Sequence, residues 1–446
     1  MEIRDPVHGS INILDEEIPI IEHNLFQRLR NIKQLGFCEY PFPGATHTRF
    51  THSIGVMHIG TMAFNSVFNS QLEEQKIKTL KETFRLACLL HDIGHAPLSH
   101  TTEIVMPALS ELMIPIRYLS TNDQKHDRQA RHEDYTIKAI ADSSFSDAFY
   151  LVEKKFGIER KFIVDLITGT TAEPSYFTYK GINYFPILHQ LISSELDCDR
   201  MDYLLRDSYF CGVSYGNFDL DWLINNLEIC LVGTEAYLGL SERAVVTFDD
   251  FLLSRYHMFL MVYFHYKAVC LEQLLVKYFL NSPDEYRLPA DIEEYFEHDD
   301  YYLMKTLRKS KSEYANNLVK NKIPPKIFES FNDEQLLKLE VIQKYLDDNN
   351  IDYIRCSSSK RISKYIALNE APSKYTIKVV RTLHETQQRS FSHINEATDL
   401  FSKFEKSHAV NRLHLDISLL KASHKNQIIE LINTGHQPKL ENLIIE

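Results

Sequence analysis

Glycine is scarce in this chain: 14 of 446 residues, roughly half the usual frequency of about 7%. That argues against a Rossmann-type protein and against an all-β protein rich in glycine turns. The seven cysteines (38, 88, 198, 211, 230, 270, 356) are odd in number, scattered, and never form a Cys-x-x-Cys pair. This argues against a disulfide framework and against a structural zinc site. A reduced, cytoplasmic compartment is expected. No apolar run approaches the ~20 residues of a membrane span, and Met1–Pro6 opens no signal peptide, so no membrane partner is expected. Positive charge is also short. With 49 basic against 61 acidic residues the formal net charge is −12, which disfavours a dedicated nucleic-acid binder. A local positive site for a small anion remains compatible with that balance.

What is present is an ordinary soluble composition, 44% hydrophobic and 25% charged, with an unusual 20 histidines beside a single tryptophan. The length suits two or three domains, or one large core with an appended lobe. Apolar residues recur at helical spacing over Leu80–Leu90, Ile187–Leu205 and Phe251–Phe279, the last apolar nearly all round and so predicted as a central buried helix. Segments 228–232, 236–238 and 244–248 predict a small antiparallel sheet. A composition shift near residue 285, from acidic 291–300 to a basic stretch ending at Pro324-Pro325, predicts a boundary there. The predicted fold is mainly α: a helical core over 1–285 and a mixed α/β lobe over 286–446. The lobe includes the alternating segments 378–383 and 412–417.

His52, the pair His91-Asp92 and Asp199 stand out as metal-ligand types. Neighbouring helical positions point about 100° apart, so His91 and Asp92 reach one ion only if it sits over a helix end. Mixed nitrogen and oxygen donors suit Mn, Fe or Zn, and Mg less well. An isolated His-Asp dipeptide is ordinarily a cap and an ion pair. Here, however, His95 and His100 crowd the same helix end, and Arg49 stands one turn before His52. Asp199, Tyr203 and residue 206 or 207 share one helical face.

The order His52 … His91-Asp92 … Asp199 resembles the metal set of the HD-domain phosphohydrolase superfamily. Segments 5–9 (Asp-Pro-Val-His-Gly), 26–36, 42–53 and 197–207 resemble, more specifically, its deoxynucleoside triphosphate triphosphohydrolases. These include bacterial dGTPases and the vertebrate dNTPase that restricts retroviruses. The resemblance covers roughly residues 1–285. It implies that His52, His91, Asp92 and Asp199 hold a catalytic divalent metal (Mn, Fe, Zn or Mg). It implies that Arg49, His95, His100, His132 and Arg200 surround a triphosphate, with Glu133 beside His132. Tyr203 and Asp207 match positions that meet the deoxyribose, Gln34 and Leu35 those flanking sugar and base. Tyr263 and His265 match a Tyr-x-His pair. An Arg expected two residues before that Tyr is Met261, and Lys267 is a candidate to replace it. Where the vertebrate member has a glycine run, this chain reads Gly36-Phe37-Cys38-Glu39.

The implied reaction is water attack at the α-phosphorus of a dNTP, releasing deoxynucleoside and tripolyphosphate. His100 or His132 would be the general acid. Imidazole suits that role at neutral pH, and Arg offers a fixed fork for phosphate oxygens. Gln27, Arg30 and Glu22 match an activating site for a guanine or other nucleotide between subunits, implying a homotetramer or homodimer. Two other readings compete: an HD phosphatase or nuclease acting on a different phosphate ester, and a nucleotide-sensing or nucleic-acid-binding protein.

Overall fold

The computed structural model describes residues 1–69, 71–360, 376–382, 389–398, 400 and 408–434. A short hairpin, β1 (Glu2–Asp5) and β2 (Gly9–Asn12), leads into a mainly helical body. Its centre is α1 (Arg49–Val67) packed on α2 (Gln75–Leu90), where Gly60 allows Cys88 Sγ and Phe84 to approach closely. In α2 the residues Ile77, Leu80, Phe84, Ala87 and Cys88 are buried, as their spacing predicts. The helices α3 (His132–Ala141), α4 (Phe185–Ile192) and α5 (Cys198–Cys211) follow. The region 187–205, read from periodicity as one helix, is therefore two. Asp197 ends the gap by accepting from the Arg200 amide at 2.8 Å, an N-cap that starts α5 afresh.

Strands β3 (Leu227–Val232) and β4 (Glu235–Ser241) pair antiparallel, as expected. Of residues 244–248, predicted as a third strand, Ala244 ends a short turn and the rest open helix α6 (Val245–Met258), because Phe248, Phe251 and Leu252 bury at helical spacing. The expected continuous helix over 251–279 is also broken. A wide turn at Phe259–Tyr263 and a fresh N-cap at His265 separate α6 from α7 (Tyr266–Asn281), with a bend of 65°. No single helix among the described residues is long and apolar enough to cross a membrane.

Beyond residue 285 the chain stays in the main body. Tyr286, Leu288, Ile292, Tyr295, Leu303, Leu307, Ala315 and Leu318 join the same hydrophobic cluster as the preceding helices. The composition break at 285 thus falls inside one continuous core, because Ile292 and Tyr295 are buried between the exposed Asp291, Glu293, Glu294 and Glu297. A second, smaller cluster lies further on. Strands β5 (Lys326–Ser330) and β6 (Ile354–Lys360) flank a third strand to form an antiparallel sheet. Helix α8 (Asp333–Asp348) lies between β5 and β6 in sequence. The alternating segment 378–383 supplies β7 (Lys378–Thr382), parallel to β4 in the core sheet, with β8 (Arg389–His393) beside it. Leu383 lies outside the described residues. The segment 412–417 supplies the end of β9 (His408–His414), the central strand of the lobe sheet. Helix α9 (Ala422–Thr434) closes the lobe core of Leu339, Ile342, Leu346, Leu413, Leu415, Ile428 and Leu431.

Candidate metal centre

Helix α1 carries His52 in its first turn, and Asp199 sits in the first turn of α5. Helix α2 stops at Leu90, so His91 and Asp92 stand over its end. His52 Nε2 and His91 Nε2 lie 3.0 and 3.7 Å from Asp199 Oδ1. An Asp92 oxygen lies 3.4 Å from His91 Nε2, and another 3.7 Å from His52 Nε2. The four residues expected as ligands therefore converge. One donor atom from each of His52, His91 and Asp199 falls within 4.8 Å of the others.

Two buried ring nitrogens test the fit. His52 Nε2 and His91 Nε2 have no hydrogen-bond partner among the described residues. Their opposite nitrogens are engaged: His52 Nδ1 donates to Asp202 Oδ2 at 2.7 Å, and His91 Nδ1 to the Cys88 carbonyl at 2.9 Å. Such acceptors fix the tautomer that presents Nε2 as a metal donor. Burial disfavours charge on both rings, yet the surrounding aspartates push their pKa values up to about 9. The pocket favours a cation. It is a divalent-metal site whose donors leave Mn, Fe, Zn and Mg open.

Behind His52 lies a network that the sequence motifs contained without revealing its purpose. Asp202, fully buried, accepts from His8 Nε2 at 2.6 Å and from Arg206 Nε and Nη2, both at 2.8 Å. Arg206 Nη1 also donates to Asp5 Oδ2 at 2.8 Å, and Asp5 Oδ1 accepts from the Val7 and His8 amides. Gly55 of α1 faces this network. A β-carbon there would overlap Asp202 Oδ1 and Arg206 Nη2, so only glycine admits the close approach.

On the other side of the centre Arg49 donates to Asp92 and, at 2.8 and 3.1 Å, to Ser99 Oγ. His95 Nε2 lies 3.2 Å from Asp92 Oδ1, and its ring stacks on His132 at 3.9 Å. Burial, reinforced by Arg49 and His132, holds the His95 pKa well below the usual range. His100 Nδ1 and His132 Nδ1 both donate to Glu103 Oε1, at 2.8 and 2.7 Å. Glu133, expected beside His132, stands off at 3.5 Å and is half exposed. Glu103 is thus the closer partner, a residue no sequence pattern singled out. Burial opposes its charge, but the two histidines hold its pKa down at about 2.

Beside Arg49 opens a cavity of about 240 Å³, just below the usual range of small-molecule sites. Gln34, Leu35, Phe37, Leu98, His100 and Tyr263 are among its lining residues. Tyr263 donates to Asp207 Oδ2 at 2.7 Å, and Asp207 Oδ1 accepts from His47 Nε2 at 2.8 Å. The Tyr203 ring lies 6.3 Å from that of Tyr263. Phe37 and Cys38, where a glycine run was noted as missing, bring bulk to the cavity wall. Glu272 also lines it, and burial pushes its pKa up to about 7.

Residues 49–167 match the family described as the HD domain. The chain contains an HD domain. It is similar to the uncharacterized protein YwfO of Bacillus subtilis, 33% identical over 276 residues, 61% of this chain and 54% of that one. It is also similar to the human deoxynucleoside triphosphate triphosphohydrolase SAMHD1, 28% identical over 293 residues, 63% of this chain and 44% of that one. The chain thus spans about half the length of these relatives. A hypothetical protein from Aquifex aeolicus has a similar crystal structure, with a TM-score of 0.70 and 27% identity, covering 96% of this chain and 99% of that one.

The HD domain holds His52, His91 and Asp92, while Asp199 comes from α5 beyond it. Other expected site residues are placed less directly. Arg200 pairs with Asp197 at 3.0 Å. His265 caps α7 by accepting from the Lys267 amide at 3.3 Å, and the Lys267 ammonium lies 5.9 Å from the Tyr40 ring centre. Met261 is half exposed. Arg30 donates to Gln27 Oε1 at 2.7 Å and lies over the Phe50 ring, while Glu22 is exposed.

The HD-domain loop at 94–100 is braced from outside the domain. Arg28 donates to the His95 carbonyl at 2.9 Å, and Tyr295 to the Gly94 carbonyl at 2.7 Å. Leu98 and Ser99 both take left-handed backbone, φ 52° and 59°, which costs a side-chain-bearing residue roughly 1–2 kcal/mol each. Asp300 holds them there, accepting from the Leu98 amide at 2.8 Å and from the Lys33 amide at 3.0 Å.

Burial pushes the Asp300 pKa up to about 6 from 3.8 despite these donors. The folded state therefore binds this proton more tightly than the unfolded state. The resulting stability is complete below about pH 4 and is lost as pH rises through about 6. In denaturant melts the advantage of wild type over Asp300→Asn is expected to shrink by up to about 3 kcal/mol between pH 4 and 7. A pH-independent difference would contradict this.

Proposed function

We propose that the protein is a metal-dependent hydrolase that cleaves dNTPs at the α-phosphorus, releasing deoxynucleoside and tripolyphosphate. The observation carrying this reading is the continuity of three parts through Arg49. Its guanidinium joins the metal centre at Asp92 to a cavity whose wall carries Tyr263 paired with Asp207. On this reading the cavity takes the sugar and base, Asp207 behind Tyr263 serves the 3′-hydroxyl, and Tyr203 limits room for a 2′-hydroxyl. Arg49 and the histidines face the phosphates.

A divalent metal held by His52, His91, Asp92 and Asp199 would supply Lewis acidity to a phosphoryl oxygen and the attacking water. The chain's own residues do the rest. Asp202 and the Cys88 carbonyl hold the two imidazole donors in their tautomer. His95, kept neutral, stacks against His132 and orients it. The proton for the departing 5′-oxygen comes from the His100–Glu103–His132 cluster, whose carboxylate fixes both rings by Nδ1 and leaves Nε2 to face substrate. At Gln27 and Arg30 a second nucleotide binds between copies of the chain and activates it.

The test is a product analysis with the four dNTPs, singly and in pairs, in heavy-oxygen water with Mn or Mg. Tripolyphosphate carrying solvent oxygen is the expected product. Orthophosphate or pyrophosphate in its place would exclude α-phosphorus attack and favour a phosphatase. Stimulation of one dNTP's turnover by another is expected from the second site. Strict additivity would remove it.

A further inference from the structure

Away from the catalytic centre, three side chains from distant segments meet in the interior: Cys270 on α7, Cys356 on β6 and His414 at the end of β9. All are fully buried, and one donor atom of each falls within 4.8 Å of the others. His414 donates from Nδ1 to the Pro324 carbonyl at 3.0 Å, leaving Nε2 buried with no partner among the described residues. This repeats the device seen at His52 and His91: an acceptor fixes the tautomer, and the free lone pair faces a cluster of metal-ligand types. Burial, with Arg412 and Lys326 nearby, lowers the His414 pKa and so favours the neutral ring. All seven cysteines are free thiols.

We propose that Cys270, Cys356 and His414 form a second metal site, for a zinc ion, that pins the C-terminal lobe to the catalytic body. The donor types select zinc over harder cations. Charge selects it too: two thiolates and a neutral imidazole around a divalent ion sum to zero, which a fully buried site requires. Binding releases two thiol protons to solvent and forms two zinc–sulfur bonds and one zinc–nitrogen bond, with no change of oxidation state. Three protein donors leave the fourth position of a tetrahedral zinc unassigned. A disulfide between the cysteines would need an external oxidant and would still leave His414 Nε2 unpaired.

The position gives the ion a mechanical role. Cys270 lies just over one turn beyond His265, where α6 and α7 are broken. Strand β9 reaches the same break, since Arg412 donates to the Phe264 carbonyl at 2.8 Å and His414 stacks near Tyr266. Zinc would therefore fasten the lobe to the helix junction that presents Tyr263 to the cavity.

Cobalt substitution of the full-length chain, purified under reductant, tests this. A near-ultraviolet thiolate-to-cobalt band is expected in wild type, and the nitrogen–oxygen centre cannot produce it. The band should persist in His91→Ala, vanish in Cys356→Ala and weaken in His414→Ala. Should these variants not fold, zinc-edge X-ray absorption on wild type decides: sulfur at about 2.3 Å is expected. A zinc shell without sulfur, a band that survives loss of Cys356, or a Cys270–Cys356 disulfide in the reduced preparation would each overturn the site.

Discussion

Replacing His91 with alanine is expected to abolish hydrolysis while leaving the protein folded. The side chain is a candidate metal donor, and among the described residues its Nδ1 donates to the Cys88 carbonyl. Losing that bond costs roughly 1 kcal/mol, so the metal-free melting temperature should stay close to wild type. Losing the metal's stabilisation of transition-state charge, several kcal/mol, lowers the rate by about 10³-fold or more. The measurements are turnover of dNTPs beside bound-metal content. Full activity in His91→Ala would remove this centre from the chemistry, and a misfolded variant would show in the melt rather than as a folded, metal-poor protein.

The second large effect is expected at Arg206, which is fully buried. Arg206→Met leaves Asp202 and Asp5 buried without their shared guanidinium. Breaking a buried ion pair from one side costs about 3–5 kcal/mol, a fall of roughly 3–5 °C in melting temperature for a chain this long. The same change frees Asp202 from its fork and so unseats the acceptor that orients His52. Metal affinity should fall about 10–100-fold, as for other outer-shell partners. Arg206→Lys should recover little, because an ammonium cannot span both carboxylates as the guanidinium does. Wild-type metal affinity in a destabilised Arg206→Met would separate the two roles and refute the second.

The helices and the convergence of His52, His91 and Asp199 were legible for related reasons. In α2 the apolar spacing runs unbroken to Leu90, and His91-Asp92 follows at the helix end, so periodicity and donor chemistry mark one place. The breaks were not legible. His265 interrupts the apolar run without proline or glycine, and Asp197 caps α5 inside a periodic stretch. Val245-Val246-Thr247 has strand-like composition, but burial of Phe248 and Phe251 on one face decides for helix. The partners of the site residues were hidden for another reason. Glu103, His47, His8 and Asp300 act through contacts between remote segments, and no local spacing encodes which carboxylate will meet which imidazole. Cys270, Cys356 and His414 are the extreme case, since the cysteine pattern argued against any such cluster.

The bracing of the 94–100 loop makes the histidine cluster depend on residues that follow it by 201 and 202 positions. A nascent chain ended at residue 285 already holds His52, His91, Asp92 and Asp199. It does not yet hold Tyr295, whose hydroxyl ties the Gly94 carbonyl, or Asp300, whose carboxyl keeps Leu98 in its left-handed turn. It also lacks Tyr286, Leu288 and Ile292, which belong to the same core. A chain ended there has every metal-donor type in place and neither of the ties that hold the loop beside them.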